Sequence, residues 1–362
     1  MRVFCIFIPR ADVHYPVTMA PPTHPARPEP AERAPLPRVR VLATGGTIAG
    51  AQTGSSRSYQ AGAFSIEALI AAVPQLATLA RLEVEQVAAL GSQDMNEAIW
   101  LKLAARAEAA LADPDIAAVV ITHGTDTMEE TGYFLNLVVH SAKPIVLVGA
   151  MRPATEISAD GPMNLYNAVA VAAHPDTRNR GVLVVANDEI HFAREVSKTN
   201  TTQVGTFKAS HRGLAGLVHA GRLHLYAPPV RRHTVASEFS VGGVTSLPRV
   251  DIVYAHAGMG RELIDAAVRA GAKGLVIAGV GDGNLNEAAL AAAAAAARAG
   301  VAIVRSSRTG GGVVERNIEI DDDELGFIAA DELNPQKCRV LLMLGLTRTA
   351  DPRALQELFF TY

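Results

Sequence analysis

The 362-residue sequence has few of the residues and segments that mark several classes of protein. Its two cysteines, Cys5 and Cys338, lie at opposite ends of the chain with no histidine or second cysteine close by in sequence. This excludes a disulfide framework and a cysteine-based metal site. The net charge is only −3 and lysine and arginine do not cluster, so no surface for nucleic acid or for a membrane is indicated. No apolar run reaches the length of a transmembrane helix.

The N-terminal residues differ in composition from the rest of the chain. Residues 21–37 are rich in proline, alanine, arginine and glutamate, which cannot form an apolar core. We therefore predict a disordered tail over 1–37. The short apolar run 3–8 is ended by Pro9 and no clean cleavage site follows it. A secretory signal is not favoured, and we expect a cytoplasmic location, with the periplasm as the alternative.

From residue 38 onward, short apolar runs alternate with alanine- and leucine-rich segments of helical spacing. This alternation predicts an α/β fold of two domains. The larger N-terminal α/β domain, 38–235, carries a mostly parallel sheet flanked by helices, and the smaller C-terminal α/β domain, 249–362, carries a parallel sheet. The expected linker is the Ser-, Gly- and Pro-containing stretch 236–248. Strands are predicted at 38–43, 84–90, 117–122, 144–148 and 181–186 in the first domain, and at 250–255, 274–278 and 301–305 in the second.

Polar residues follow several of these strands at their carboxyl ends. They are Thr47 after the first strand, Ser92 after the second, and Thr125 and Asp126 after the third. Right-handed crossovers between parallel strands bring such ends to one edge of a sheet, where open α/β sheets bind ligands. We therefore expect these residues to meet in one crevice, with Lys198 reaching it from the polar segment 191–207.

These residue types allow nucleophilic catalysis. A threonine hydroxyl at position 47 can attack a carbonyl if a base removes its proton. A lysine in a dry pocket can lose its own proton and act as that base, and Asp126 can bind a substrate ammonium. Each residue also has a simpler interpretation: Asp126 as a helix cap, Lys198 as a solvated loop lysine, and His123 as a hydrogen-bonded core histidine instead of a base.

The glycine-rich loops do not fit phosphate-binding patterns. No Gly-Lys-Ser/Thr follows Gly45-Gly46, and the late loop 279–283 lacks the third-glycine spacing of a dinucleotide fingerprint. No cluster with the spacing of metal ligands is present in the sequence. We therefore expect no cofactor and no metal.

Six segments resemble those of bacterial type II L-asparaginases, in that family's order and spacing, from about residue 38 to residue 362. They are Ala-Thr-Gly-Gly-Thr-Ile-Ala-Gly (43–50), Gly-Ser-Gln-Asp-Met (91–95), Ile-Thr-His-Gly-Thr-Asp-Thr-Met-Glu-Glu-Thr (121–131), Val-Gly-Ala-Met-Arg-Pro (148–153), Ser-Ala-Asp-Gly-Pro-Met-Asn-Leu-Tyr-Asn-Ala (158–168) and Leu-Asn-Pro-Gln-Lys (333–337). The cysteine pair of some members is missing here, and the lid between Thr47 and Tyr59 is one residue shorter than in some relatives.

The resemblance implies a role for each matching residue. Thr47 matches the nucleophile, and Tyr59 matches the tyrosine of the mobile lid. Thr125, Asp126 and Lys198 match the second threonine with its aspartate and lysine. Ser92 and Asp126 match the groups that hold the substrate α-carboxylate and α-ammonium, with Gly91 and Gln93 beside them. Asn284 and Glu319 match positions that a neighbouring subunit contributes.

The implied enzyme is a cofactor-free homotetramer with its sites at the interface of an intimate dimer. It hydrolyses L-asparagine to L-aspartate and ammonia through a β-aspartyl ester on Thr47, with lesser activity on L-glutamine. The sequence does not decide whether Tyr59 or the Thr125–Lys198 pair takes the first proton. Two other classes stay open: an amidase subunit of a tRNA-dependent amidotransferase, and a non-catalytic amino-acid-binding protein.

Overall fold

A computed structural model describes residues 35–52, 59, 60, 62 and 64–362. The predicted tail 1–37 lies outside the described residues except for its last three positions. Leu36–Tyr362 forms one unit, whose fold is described below. The helices within the described ranges are all too short or too polar to cross a lipid bilayer.

The described residues form strands and helices that alternate along most of the chain. The strands are β1 (Arg38–Gly45), β2 (Ala51–Gln52), β3 (Tyr59–Gln60), β4 (Arg81–Leu90), β5 (Ile116–Thr122), β6 (Ile145–Val148), β7 (Val182–Ala186), β8 (Glu189–Phe192), β9 (Val196–Lys198), β10 (Phe207–Ala209), β11 (Gly216–His219), β12 (Arg222–Leu225), β13 (Val250–Tyr254), β14 (Gly274–Gly279), β15 (Ala302–Ser307) and β16 (Phe327–Ala329). The α-helices are α1 (Ile66–Ala71), α2 (Glu97–Ala112), α3 (Met128–Val138), α4 (Gly161–Ala173), α5 (Glu262–Arg269), α6 (Glu287–Arg298), α7 (Asp322–Leu325), α8 (Pro335–Gly345) and α9 (Pro352–Thr361).

The two main sheets have the parallel character that the sequence predicts. The larger sheet has eight strands in the order β12-β11-β8-β7-β6-β5-β1-β4. Strands β4, β1, β5, β6 and β7 are parallel, whereas β8, β11 and β12 are antiparallel to their neighbours. The smaller sheet, β13-β14-β15-β16, is wholly parallel. The predicted α/β fold class is confirmed. The boundaries 38–235, 236–248 and 249–362 stay a prediction.

Strand β5 shows how the sequence produces the larger sheet. It reads Ile-Ala-Ala-Val-Val-Ile-Thr, and residues 118–122 are all buried. A strand buried on both faces needs helices on both faces of its sheet. Trp100 of α2 and Phe134 of α3 lie in the core on one face, and Leu165 of α4 lies in the core on the other.

The carboxyl ends of the parallel strands lie level with one another. Gly45 at the end of β1 pairs with Leu90 at the end of β4. On the other side of β1, Ala43 pairs with Thr122 at the end of β5. The polar segments that follow these three strands therefore start at the same edge of the sheet, as predicted from the order of the elements.

Helix α8 packs between the two sheets. It contacts α3 on one side and β13, β14 and β15 on the other. Its residues Leu341 and Leu342 belong to the same core as Phe134 of α3 and Val304 of β15. The opposite face of the smaller sheet is covered by α5 and α6, through Ile264 and several alanines. The N-terminus of α8 is therefore held close to α3, which follows β5.

Some elements were not predicted from the sequence. Helix α4 begins with Gly161 and Pro162, which are typical of turns, although proline is accepted in the first turn of a helix. Segment 191–207, predicted as a polar connection, contains all of β9 and the start of β10. Each of these strands has three residues, too few to show an alternating pattern.

Candidate active site

Thr47 lies in a tight turn directly after β1. Gly45 and Gly46 before it have φ of 105° and 83°, values that other residues rarely adopt. A Cβ atom on Gly46 would lie 2.4 Å from the Cα of Gly124, so only glycine permits this approach of the two loops. The N–H of Gly46 donates to the carbonyl of Leu90 at 2.9 Å. Thr47 itself is buried, with 8 % of its surface exposed.

The loops after β4 and β5 meet beside this turn. A Cβ atom on Gly124 would lie 2.6 Å from the Oγ of Ser92, which shows how closely the loops pack. The hydroxyl of Ser92 accepts a hydrogen bond from the N–H of Asp126 at 3.1 Å. The carbonyl of Ser92 accepts a second one from the hydroxyl of Thr127 at 2.7 Å. Ser92 thus links the loop after β4, to which it belongs, to the loop after β5.

Lys198 reaches these loops from β9. Its Nζ lies 2.9 Å from the Oγ1 of Thr125 and 2.5 Å from the Oδ1 of Asp126. The side chain of Lys198 is 14 % exposed and that of Asp126 is 57 % exposed. Lys198 is therefore a mostly buried strand residue, and its interpretation as a solvated loop lysine is wrong. We call Ser92, Thr125, Asp126 and Lys198 the Lys198 cluster.

Asp126 does not cap the helix that follows it. The N-cap of α3 is Thr127, and no side chain makes a capping hydrogen bond there. The interpretation of Asp126 as a helix cap is therefore wrong, because its carboxylate is directed to Lys198 instead. Its exposed surface leaves the carboxylate accessible to a cationic ligand.

His123 is a core histidine, and each of its two ring nitrogens has a hydrogen-bond partner. The indole N–H of Trp100 donates to the Oγ1 of Thr131 at 2.8 Å. Thr131 lies 2.9 Å from the Nε2 of His123, whose Nδ1 lies 2.7 Å from the carbonyl of Gly124. Tryptophan can only donate and a carbonyl can only accept, so in the neutral ring the proton lies on Nδ1 and Nε2 accepts from the hydroxyl of Thr131. Burial lowers the pKa of His123 to about 4. The structural interpretation of His123 is confirmed.

The other candidate residues from the first part of the chain are Gly91, Gln93 and Tyr59. Gln93 is exposed, and its side chain folds over Gly91, where a Cβ atom would lie 2.4 Å from the Nε2 of Gln93. The backbone of Tyr59 pairs with Gln52 in the ribbon of β2 and β3. The side chain of Tyr59 and residues 53–58 of the predicted lid lie outside the described residues.

Asn284 and Glu319 line a cavity of the smaller domain together with Arg305. No hydrogen bond joins either of them to the Lys198 cluster among the described residues of the single chain. Buried Arg305 organises this cavity. It binds the carboxylate of Asp322 through two contacts of 2.7 Å and donates to the carbonyl of Asp282 at 2.9 Å. The loops that carry Asn284 and Glu319 are therefore tied together.

Three polar residues near Lys198 received no role from the sequence: buried Glu129 and Lys337, and half-buried Asn334. Glu129 follows Thr125 and Asp126 in the motif 121–131, and the other two lie in the motif 333–337. Their place in these motifs was the available signal. Within the described residues, no group of three or more His, Cys, Asp or Glu side chains is arranged to hold a metal ion.

Comparisons with known proteins agree with the geometry. The family model described as "Asparaginase, N-terminal" matches residues 38–231, and the model described as "Glutaminase/Asparaginase C-terminal domain" matches residues 249–359. The chain belongs to the asparaginase family. The family membership predicted from the six motifs is therefore confirmed.

Individual relatives of this asparaginase-family chain are similar over nearly its whole length. A protein of Haemophilus influenzae named "Probable L-asparaginase periplasmic" is 50% identical over 330 residues, covering 91% of this chain and 94% of its own. A "Glutaminase-asparaginase" of Pseudomonas fluorescens is 45% identical over 330 residues, covering 90% of this chain and 91% of its own. The crystal structure of a "Probable Cytoplasmic L-asparaginase from Campylobacter jejuni" matches with a TM-score of 0.88 and 46% identity, covering 90% of this chain and 100% of that one.

Proposed function

We propose that this protein hydrolyses L-asparagine to L-aspartate and ammonia, with lesser activity on L-glutamine. The observation that carries the proposal is the contact of the Lys198 ammonium with both Thr125 and Asp126. It lies beside the glycine turn that holds Thr47. An amine that can take up a proton thus lies next to Thr125, which follows a parallel strand. The chain belongs to the asparaginase family.

The proposed reaction has two steps, with Thr47 as the nucleophile. The hydroxyl of Thr47 attacks the carbon of the side-chain amide while a base takes its proton. The C–N bond then breaks, the nitrogen receives a proton, and ammonia leaves a β-aspartyl ester on Thr47. Water then attacks the ester, releases aspartate and restores the hydroxyl, so that one difficult step becomes two easier ones.

The base that activates Thr47 is either Tyr59 or the Thr125–Lys198 pair. The contacts of Lys198 support the second assignment, because a proton can pass from Thr125 to a neutral lysine over 2.9 Å. Backbone N–H groups around Thr47 and Thr125 are proposed as donors to the oxyanion that develops on the amide oxygen.

Substrate binding is proposed to involve charged and polar groups that bind the α-ammonium and the α-carboxylate of the amino acid. The exposed carboxylate of Asp126 binds the α-ammonium, and Ser92 binds the α-carboxylate, with Gly91 and Gln93 beside it. Asn284 and Glu319 complete the site from a neighbouring subunit in a homotetramer. The cavity of the smaller domain that holds both residues supports this assignment.

The cytoplasmic location also stays a prediction, which cell fractionation tests.

The deciding experiment measures ammonia release by the purified chain with asparagine, with glutamine and without substrate. Release from asparagine, faster than from glutamine and absent in Thr47→Ala, supports the proposal. Release only in the presence of RNA or a partner protein indicates an amidotransferase subunit. Binding of aspartate without ammonia release indicates an amino-acid-binding protein. Size-exclusion chromatography with light scattering tests the homotetramer in the same preparation.

A further inference from the structure

A buried polar network lies beside Lys198, at the N-terminus of α8. Its central group is the carboxylate of Glu129, which is 3 % exposed. The Oε2 of Glu129 accepts from the Nδ2 of Asn334 at 2.7 Å, and its Oε1 accepts from the Nε2 of Gln336 at 3.2 Å. The ammonium of Lys337 lies 3.9 Å from the same carboxylate. The network therefore joins α3 to α8, which is more than 200 residues later in the chain.

This network binds β9 and the segment directly before it. Lys337 donates to the carbonyl of Arg194 at 2.7 Å and to the carbonyl of Val196. Asn334 donates to the hydroxyl of Ser197 at 2.9 Å. The backbone N–H of Lys198 lies 3.4 Å from the Oε1 of Glu129. The position of β9 is thus set by side chains from α3 and α8.

Strand β9 depends on these contacts because its own sheet is small. It has three residues and pairs only with the three-residue strand β10 among the described residues. A two-stranded ribbon is marginally stable on its own. The network thus supplies much of what fixes the backbone from which the Lys198 side chain extends.

Glu129 also lies on the segment that carries Thr125 and Asp126, the two residues that the Lys198 side chain contacts. It lies in the first turn of α3, three residues after Asp126. One carboxylate therefore contacts the backbone of Lys198 and is carried by the segment that bears Thr125 and Asp126. A displacement of about 1 Å between reacting groups can reduce a rate by about a hundredfold, so this connection bears directly on proton transfer.

We propose that Glu129 and Asn334 are positioning residues that hold the Lys198 ammonium between Thr125 and Asp126. Asn334 acts from the far end of the chain, so turnover at the larger domain's site depends on the N-terminus of α8. This inference rests on the proposed function. It predicts that loss of the network lowers kcat while substrate affinity changes little, because no member of the network is proposed to touch the substrate.

The test compares Asn334→Ser and Ser197→Ala with the wild type. Serine at position 334 still caps α8, since its hydroxyl can accept from the N–H of Lys337 as Asn334 does, but it is too short to reach Ser197 and Glu129. Ser197→Ala removes one acceptor of the network. Asp351→Ser, at the N-cap of α9, is the matched control for a change of capping residue, and Ser197→Thr restores the hydroxyl.

We expect kcat on asparagine to fall by about tenfold or more in Asn334→Ser and by about threefold or more in Ser197→Ala, with KM within about threefold, as for a lost positioning contact. The inflection of the kcat–pH profile shifts in both variants. Ser197→Thr recovers most of the wild-type kcat, and Asp351→Ser keeps it. The double variant Asn334→Ser/Ser197→Ala is no slower than Asn334→Ser alone, because both changes remove the same bond.

Unchanged kcat and an unchanged pH profile in folded Ser197→Ala and Asn334→Ser overturn the inference, even if both variants melt at lower temperature. If Asn334→Ser does not fold, Ser197→Ala and Ser197→Thr still test the inference. The first removes only one hydroxyl and the second keeps it. A wild-type chain that releases no ammonia from asparagine contradicts the proposed function instead. The two failures are therefore distinguishable in one set of assays.

Discussion

Thr125 and Lys198 are joined by a hydrogen bond of 2.9 Å although 73 residues separate them in the chain. Thr125 follows a parallel strand of the larger sheet, whereas Lys198 lies on the three-residue strand β9 outside it. The bond brings an amine to a hydroxyl at the edge where the Thr47 turn also lies. This relationship makes proton transfer the first property to test.

Lys198→Met should slow turnover strongly without unfolding the protein. We expect kcat to fall by a factor of about 10² to 10⁴, the range for a group that transfers a proton. The melting temperature should change little, because Asp126 is more than half exposed and keeps its hydration without its partner. Lys208→Met is the matched control, since Lys208 lies opposite Ser197 on β10 and is half exposed. Equal kcat values in the two variants contradict a role for Lys198 in proton transfer.

Gly46→Ala should disrupt the turn that holds Thr47. The new Cβ atom would lie 2.4 Å from Gly124, so the loops must separate. Gly271→Ala is the control, because Gly271 has a similar φ of 88° and no atom within 4 Å of the new Cβ. We expect the control to lose about 1–2 kcal/mol from backbone strain alone. Gly46→Ala should lose more, together with most of kcat. Urea unfolding and the ammonia assay measure both, and equal losses in the two variants count against the close packing of the loops.

The convergence of Thr47, Ser92 and Thr125 could be predicted because it follows from the order of strands and helices. Lys198 could be expected to reach the site from the polar segment 191–207, but its place on a strand could not be predicted, since a three-residue strand leaves no periodic pattern. The bond between Glu129 and Asn334 had no local signal, because the two residues meet only after α8 packs on α3. Helix α4 was missed because Gly161 and Pro162 are typical of turns as well as of helix starts.

His123 should make the fold sensitive to acid. Its pKa is about 4 in the folded chain and about 6.5 when exposed, so below pH 6.5 the unfolded chain binds a proton that the folded chain does not. The free energy of unfolding therefore falls as the pH decreases from 6.5 to 4, by about 3 kcal/mol from this group. Urea unfolding of the wild type and His123→Asn across this range tests it, with exposed His224→Asn as the control. A His123→Asn variant with the same pH slope as the wild type contradicts the expectation.

Asp322→Ala should destabilise the cavity that holds Asn284 and Glu319. Both partners of the Arg305–Asp322 pair are fully buried, and removing one leaves an uncompensated charge that costs about 3–5 kcal/mol. Asp265→Ala removes the partner of exposed Arg261 and should leave the unfolding midpoint unchanged. Thermal unfolding of the two variants separates the cases. A small shift in Asp322→Ala would mean that the loops are held by other contacts.

The central claim is that the hydroxyl of Thr47 forms a covalent ester with the substrate. The most direct measurement is acid quenching of the enzyme during turnover of asparagine, followed by peptide mass analysis. The account predicts that the peptide containing Thr47 gains the mass of one aspartyl group, that fragmentation places it on Thr47, and that Lys198→Met alters the amount trapped. Steady turnover with an aspartyl group on another residue, or with full activity in Thr47→Ala, would contradict the account.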